Sequence, residues 1–177
     1  QTRRLVQTGI PFTTPQEILL AKKLAELAPG DLQKTFFACT GSESTEIGLR
    51  MAKFYTGRQE IAAVARGYHG ATFGSWSVTG RGGKFRLPDY GVGMPGVSFL
   101  PTPYPYRCPF CRENQRCDLT CLKYSEEMLD ETTSGHPAAI ILEPVLSAGG
   151  IIVPPKEYFE GIRRICDERG ALMVVDE

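Results

Sequence analysis

Two short apolar runs constrain this chain more than any other feature: "AAIIL" at 138–142 and "ALMVV" at 171–175. Neither alternates with polar residues, so a strand built from either has no face to give to water. Such strands belong to a parallel sheet covered by helices on both sides. The rest of the chain supplies the helices. Thr14-Pro15-Gln16-Glu17 reads as N-cap, first-turn proline and capping-box glutamate. Ile18, Leu19, Ala21, Leu24 and Leu27 come next at helical spacing, and Pro29-Gly30 stop the helix. Similar patterns predict helices over 44–57, with Ile47, Met51 and Phe54 on one face, over 119–132 and over 155–169, and a short one over 73–79. Further strands are predicted at 34–40, 60–65 and 96–100. The expectation is an α/β fold of three layers, a mostly parallel sheet with helices on both faces.

Composition excludes some partners. Twenty basic residues balance twenty acidic ones, so no net field steers the chain to nucleic acid or to an anionic membrane. The longest apolar runs are strand-length, too short for a membrane-spanning helix. A length of 177 residues suffices for one domain with a core. The chain starts at Gln1 and ends directly on an apolar strand that needs cover on both faces. The expectation is therefore an internal piece of a longer protein.

In parallel sheets, ligands bind beyond the carboxyl ends of the strands. The residues just past each predicted strand are therefore informative: "TGSES" at 40–44, "RGYHG" at 66–70, "EPVLSAGG" at 143–150 and Asp176-Glu177. Thr40, Gly41 and Ser42 stand where a strand turns into a helix; free N–H groups, two hydroxyls and the helix dipole suit a phosphate there. The plainer reading is an ordinary N-cap. Tyr68, between Gly67 and the His69-Gly70 pair, can stack on a planar ligand or close over the core. Asp176 needs a cationic or N–H partner if buried, and none if it is a solvated strand end. An apolar run ending in Asp-Glu also resembles the magnesium strand of a P-loop ATPase. That reading requires G-x-x-x-x-G-K-[ST], and "TGRGGKF" (79–85) has the wrong glycine spacing and Phe85 in place of the hydroxyl.

Taken together, "FFACTGSESTEIGLRMAKFYTGR", "GYHGATFGS" and "EPVLSAGGIIVPPKEYFEGIRRICDERGALMVVDE" resemble the class III aminotransferases, enzymes of pyridoxal phosphate on the fold type I scaffold. The segments "RMAKFYTG" and "EPVLSAGGII" resemble the dialkylglycine decarboxylase branch, although Ala148 stands where that branch carries a second serine. The resemblance implies that residues 1–177 are part of the large, cofactor-binding domain, with 101–121 as a cysteine-rich insertion. It implies roles residue by residue. Thr40, Gly41 and Ser42 correspond to the phosphate loop. Tyr68 corresponds to the aromatic on the pyridine ring. His69 corresponds to a residue behind the aspartate. Asp176 corresponds to the acid that keeps the pyridine nitrogen protonated, so that the ring accepts electrons from the substrate's α-carbon. Glu143, with Ser147 beside it, corresponds to the substrate side. The lysine that holds the cofactor covalently is implied to lie beyond Glu177, so the fragment alone is expected to be inactive; Lys53 and Lys84 lack its motif context. The implied reaction is amino-group transfer from an amine or amino acid to a 2-oxo acid, with decarboxylation, elimination or a non-catalytic role as alternatives. A cytoplasmic homodimer is implied as well.

Cys108, Cys111, Cys117 and Cys121 form C-x2-C-x5-C-x3-C. Four thiols so close can hold a structural zinc or an iron–sulfur cluster, or can be reduced or partly disulfide-bonded cysteines of a surface insertion. Cys39 and Cys166, in an apolar strand and a helix, are expected in the core.

Overall fold

The computed structural model describes residues 13–80, 93–111 and 117–177. "TGRGGKF", Lys84 and part of the cysteine-rich segment therefore lie partly or wholly outside the described residues. The chain divides into two units, Gln1–Ala38 and Cys39–Glu177. In the first, helix α1 (Pro15–Leu27) starts as the sequence dictates. Thr14 Oγ1 accepts from Glu17 N at 3.3 Å, and Glu17 Oε2 accepts from Thr14 N at 2.7 Å.

The second unit carries the sheet. Its elements are α2 (Gly41–Thr56), β1 (Ile61–Val64), α3 (Phe73–Val78), β2 (Val97–Leu100), α4 (Thr120–Thr132), β3 (Ala139–Leu142), α5 (Lys156–Arg169) and β4 (Leu172–Val175). The strand order is β2-β1-β3-β4, and every pairing is parallel. Central β1 and β3 are buried at every residue, whereas β4, expected to be covered on both faces, is an edge strand that is only partly buried, with Val175 exposed. Side chains alternate between two cores. Ala62, Val64, Ile140 and Leu142 face a cluster containing Leu129 of α4 with Ile162 and Ile165 of α5. Ile61, Ala63, Ala139 and Ile141 face a cluster with Leu49 and Ala52 of α2 and Val78 of α3. Two helical layers thus sandwich one parallel sheet, as expected. At the edge where β1 begins, Glu60 Oε2 accepts from Ser134 N at 2.8 Å and from Ser134 Oγ.

Two expectations need correction. Residues 34–38 form no strand, and Phe36 and Phe37 are exposed. A strand needs a hydrogen-bonded neighbour, and among the described residues no strand pairs with this segment. Cys39, expected in that strand's core, is exposed for the same reason, whereas Cys166 is buried. Helix α2 also begins at Gly41, three residues before the predicted start. Thr40 and Glu43 form its capping box and recruit "GSE" into the first turn.

Ile140 and Ile141 are fully buried on opposite faces of β3. Ile140→Ala and Ile141→Ala are each expected to cost about 2–5 kcal/mol in urea unfolding. Exposed Lys156→Ala is expected to stay within about 0.5 kcal/mol of the parent. Tolerance of either isoleucine change would contradict the two-sided core.

Candidate functional site

Because all four strands are parallel, their carboxyl ends share one edge. From β1 the chain moves to β2 on one side, then returns to place β3 and β4 on the other. Such a reversal opens a crevice where loops diverge and ligands bind. The loop after β1, the turn after β3, the end of β4 and the start of α2 supply the candidate residues.

After β1 the chain turns sharply. Arg66 adopts a left-handed conformation with φ 69°, and Gly67 comes next. A Cβ on Gly67 would lie 2.8 Å from His69 Nε2 and 3.0 Å from the Val64 carbonyl oxygen, so only glycine lets the imidazole pack here. Tyr68 N donates to Glu143 Oε1 at 2.6 Å, which ties β1 to β3 across the crevice. The Tyr68 ring itself remains 40% exposed. His69 is buried; its N–H donates to Thr79 Oγ1 at 3.0 Å. Its Nδ1 lies 2.8 Å from Asp176 Oδ2. A carboxylate only accepts, so Nδ1 carries the hydrogen in this contact. His69 Nε2 is buried without a partner.

Asp176 extends the ladder of β4: its N–H donates to the Leu142 carbonyl at 3.0 Å. The strand therefore aims its half-buried carboxylate along the edge, and His69 holds one of its oxygens. At the start of α2, Thr40 Oγ1 accepts from Glu43 N at 3.2 Å, and Glu43 Oε2 accepts from Thr40 N and Cys39 N at 3.1 and 2.8 Å. These bonds leave the Gly41 and Ser42 N–H groups with no partner among the described residues. Two free amides at the positive end of a 16-residue helix form a ready anion cradle. Thr40 is thus an N-cap through its oxygen and still has its O–H to donate. Ser42 Oγ accepts from Ala71 N at 3.1 Å, joining this helix to the Tyr68-His69 loop.

Thr40, Gly41, Ser42, Tyr68, His69 and Asp176 line one cleft of about 270 Å³. The fold brings together residues far apart in sequence, from Thr40 to Asp176. Gly70 and Glu177, which stand past strand ends in the sequence, also line it, as does Thr45, which the sequence did not single out. Thr45 could have been found from helical spacing, four residues after Gly41. Glu143 and Ser147 are not in its wall. Glu143 is buried at the end of β3, and its Oε2 accepts from Ser147 N and Oγ at 3.0 and 3.3 Å. Ser147 is exposed beside it. Glu46, one turn after Ser42, was also missed. Its Oε1 accepts from Thr72 Oγ1, Gly74 N and Ser75 N at the start of α3.

Of the alternatives open for Cys108, Cys111, Cys117 and Cys121, a metal site is not supported. Among the described residues, no group of three or more His, Cys, Asp or Glu side chains is arranged to hold a metal ion. Cys121 is buried in the core, where burial, reinforced by Cys108 and Cys117, pushes its thiol up to about 11. Cys111 Sγ instead donates to Asp118 Oδ1 at 3.3 Å.

Comparison with known proteins agrees with this fold. The family model described as "Aminotransferase class-III" matches residues 1–177. The chain is 38% identical over 175 residues to an aminotransferase of Schizosaccharomyces pombe, covering 98% of this chain and 38% of that protein. It is 35% identical over 179 residues to a leucine/methionine racemase of Thermococcus litoralis, covering 100% of this chain and 40% of the relative. A solved amine transaminase from an uncultivated Pseudomonas species, in its pyridoxal-phosphate-bound form, superposes with a TM-score of 0.83 at 33% identity, covering 97% of this chain and 40% of that one. The chain therefore spans about 40% of the length of the relatives it matches. It belongs to the class III aminotransferase family.

The glycines at the cleft allow a stability test. A methyl group on Gly41 meets nothing within 4 Å, whereas one on Gly67 collides with His69 and Val64. Gly67→Ala is expected to cost about 1–3 kcal/mol in thermal unfolding, and Gly41→Ala less than about 0.5 kcal/mol. Equal effects would contradict the close packing of His69 on Gly67.

Proposed function

We propose that the complete protein is a pyridoxal-phosphate-dependent aminotransferase, moving an amino group from an amine or amino acid to a 2-oxo acid. The observation that carries this reading is the cleft. An anion cradle, an accessible aromatic ring and a histidine-held carboxylate stand together in about 270 Å³. Pyridoxal phosphate has three matching features: a phosphate, a flat ring and a basic ring nitrogen. Gly41 and Ser42 N–H with the Thr40 hydroxyl would hold the phosphate. Tyr68 would lie against the ring. Asp176 would face the ring nitrogen. The bound cofactor supplies an electron sink for a bond broken at the substrate's α-carbon.

The chain's own residues prepare the site for that chemistry. Asp176 presents its carboxylate at a fixed point, where it would favour a proton on a facing ring nitrogen. His69 spends its Nδ1 hydrogen on Asp176 Oδ2, so the carboxylate cannot rotate away. Glu143 holds the Tyr68 backbone from the β3 side. Tyr68 cannot shift toward solvent without breaking that 2.6 Å bond. Glu143 and Ser147, just outside the cleft wall, are the substrate-side groups of this proposal.

The proposal extends to a homodimer in the cytoplasm. Met51, Phe54 and Tyr55 on α2 are exposed, Phe54 to 91%, which supports cover by further protein. No helix among the described residues is long and apolar enough to cross a membrane. Racemisation is the second reading, favoured by the similarity to a leucine/methionine racemase. Both reactions remove the α-proton. They differ in product, a 2-oxo acid against an inverted amino acid.

Asp176→Ala in the complete protein is expected to lower turnover by about 10³-fold or more while phosphate anchoring survives. Half-reaction spectroscopy with a panel of amines and amino acids would measure it. Transamination by the variant at near the parental rate would remove Asp176 from its assigned role. Stereochemical inversion without 2-oxo acid by the parent would favour the racemase.

A further inference from the structure

Glu46 lies on α2 four residues after Ser42, so one helical turn puts both side chains on the same face. Both reach the same neighbour. Ser42 Oγ takes the Ala71 N–H at 3.1 Å. Glu46 Oε1 takes three donors: Thr72 Oγ1 at 2.6 Å, Gly74 N at 2.7 Å and Ser75 N at 3.2 Å. A Cβ on Gly74 would collide with the Glu46 carboxylate, so glycine is what admits this approach. Partial burial pushes the Glu46 carboxyl up. The bonds from Thr72, Gly74 and Ser75 and the charge of Arg50 outweigh it, and the net effect is below its ordinary value. Charge-assisted bonds of this kind are the strong ones.

The segment so gripped begins just after Tyr68 and His69. Its other end is fixed by Tyr68 N on Glu143 and His69 N on Thr79. The anion cradle sits on α2, one turn before Glu46. We propose that Glu46 is a positioning residue for the cofactor: it clamps the Tyr68-His69 loop to the helix that carries the anion cradle, and so fixes the span between the two halves of the site. The inference rests on the cofactor assignment made above. A rigid ligand held at both ends needs that span fixed, and a loosened support costs affinity even where the contact residues are intact. Glu46 does not line the cleft, so it acts through the loop and not on the ligand.

The test uses the complete protein in its cofactor-free form, titrated with pyridoxal phosphate and separately with inorganic phosphate. All three bonds converge on one oxygen, so Glu46→Gln retains an acceptor in place and Glu46→Ala does not. Glu60→Ala is the control, because it removes a comparable double acceptor from Ser134 at the opposite edge of the sheet. Glu46→Ala is expected to weaken pyridoxal phosphate binding about 10–100-fold and to leave inorganic phosphate binding within about 3-fold. Glu46→Gln is expected to restore most of the loss. Glu60→Ala is expected to lower the melting temperature without changing cofactor affinity. Unchanged affinity in Glu46→Ala, or an equal loss in Glu60→Ala, overturns the positioning role while leaving the cofactor assignment standing. A parent protein that binds no pyridoxal phosphate overturns both. If Glu46→Ala does not fold, Thr72→Val removes one of the three donors and decides the matter. A loss of about 3–10-fold supports the clamp, and none overturns it.

Discussion

Parallel pairing on both sides of β3 governs the whole arrangement. Ile140 and Ile141 are driven into opposite cores, so β3 must lie between two helical layers with a strand on each flank. Parallel neighbours cannot be joined by tight turns; each needs a crossover, and the crossovers are the helices that cover the sheet. The same geometry sends every strand's carboxyl end to one edge. His69 and Asp176 meet there because β1 and β4 both flank β3 and run the same way, not because anything in their local sequence aims them at each other.

The cleft is assembled from groups that secondary structure leaves unspent. The first turn of α2 has N–H groups beyond its own needs. The ladder of β4 ends at Asp176 with a carboxylate just past its last hydrogen bond. Around these, the chain accepts local costs. Arg66 sits in a left-handed conformation, and His69 keeps a buried nitrogen with no partner. Each is worth about 1–3 kcal/mol, and such features persist only where surrounding packing over-determines them. Here the surroundings are Gly67, Glu143, Thr79 and Asp176, drawn from separate stretches of the chain.

Much of this architecture was legible in the sequence, for physical reasons that differ by element. The run at 138–142 is a strand buried on both faces, and the capping residues Thr14 and Glu17 mark a helix start through bonds made within four residues; the run at 171–175 is a strand too, but as the edge strand β4 it stays partly exposed. Residues 34–40 misled because an apolar, β-branched or aromatic stretch becomes a strand only when an edge is available, and an edge is a tertiary fact. The cysteine spacing records nearness along the chain and not ligand geometry: Cys121 is buried in the core and Cys111 bonds Asp118. Glu46 was invisible because its three donors lie 26 to 29 residues away, and nothing in "STEIG" distinguishes it from a solvated helix glutamate.

The central claim is that one cleft at the carboxyl edge holds a phosphate at α2 and a ring nitrogen at Asp176. A crystal structure of the complete protein with pyridoxal phosphate tests it most directly. The account predicts the phosphate within hydrogen-bond distance of Gly41 and Ser42 N–H, the ring against Tyr68, and the ring nitrogen facing the Asp176 carboxylate with His69 still behind it. A phosphate bound away from α2, or a ring nitrogen turned from Asp176, would contradict it.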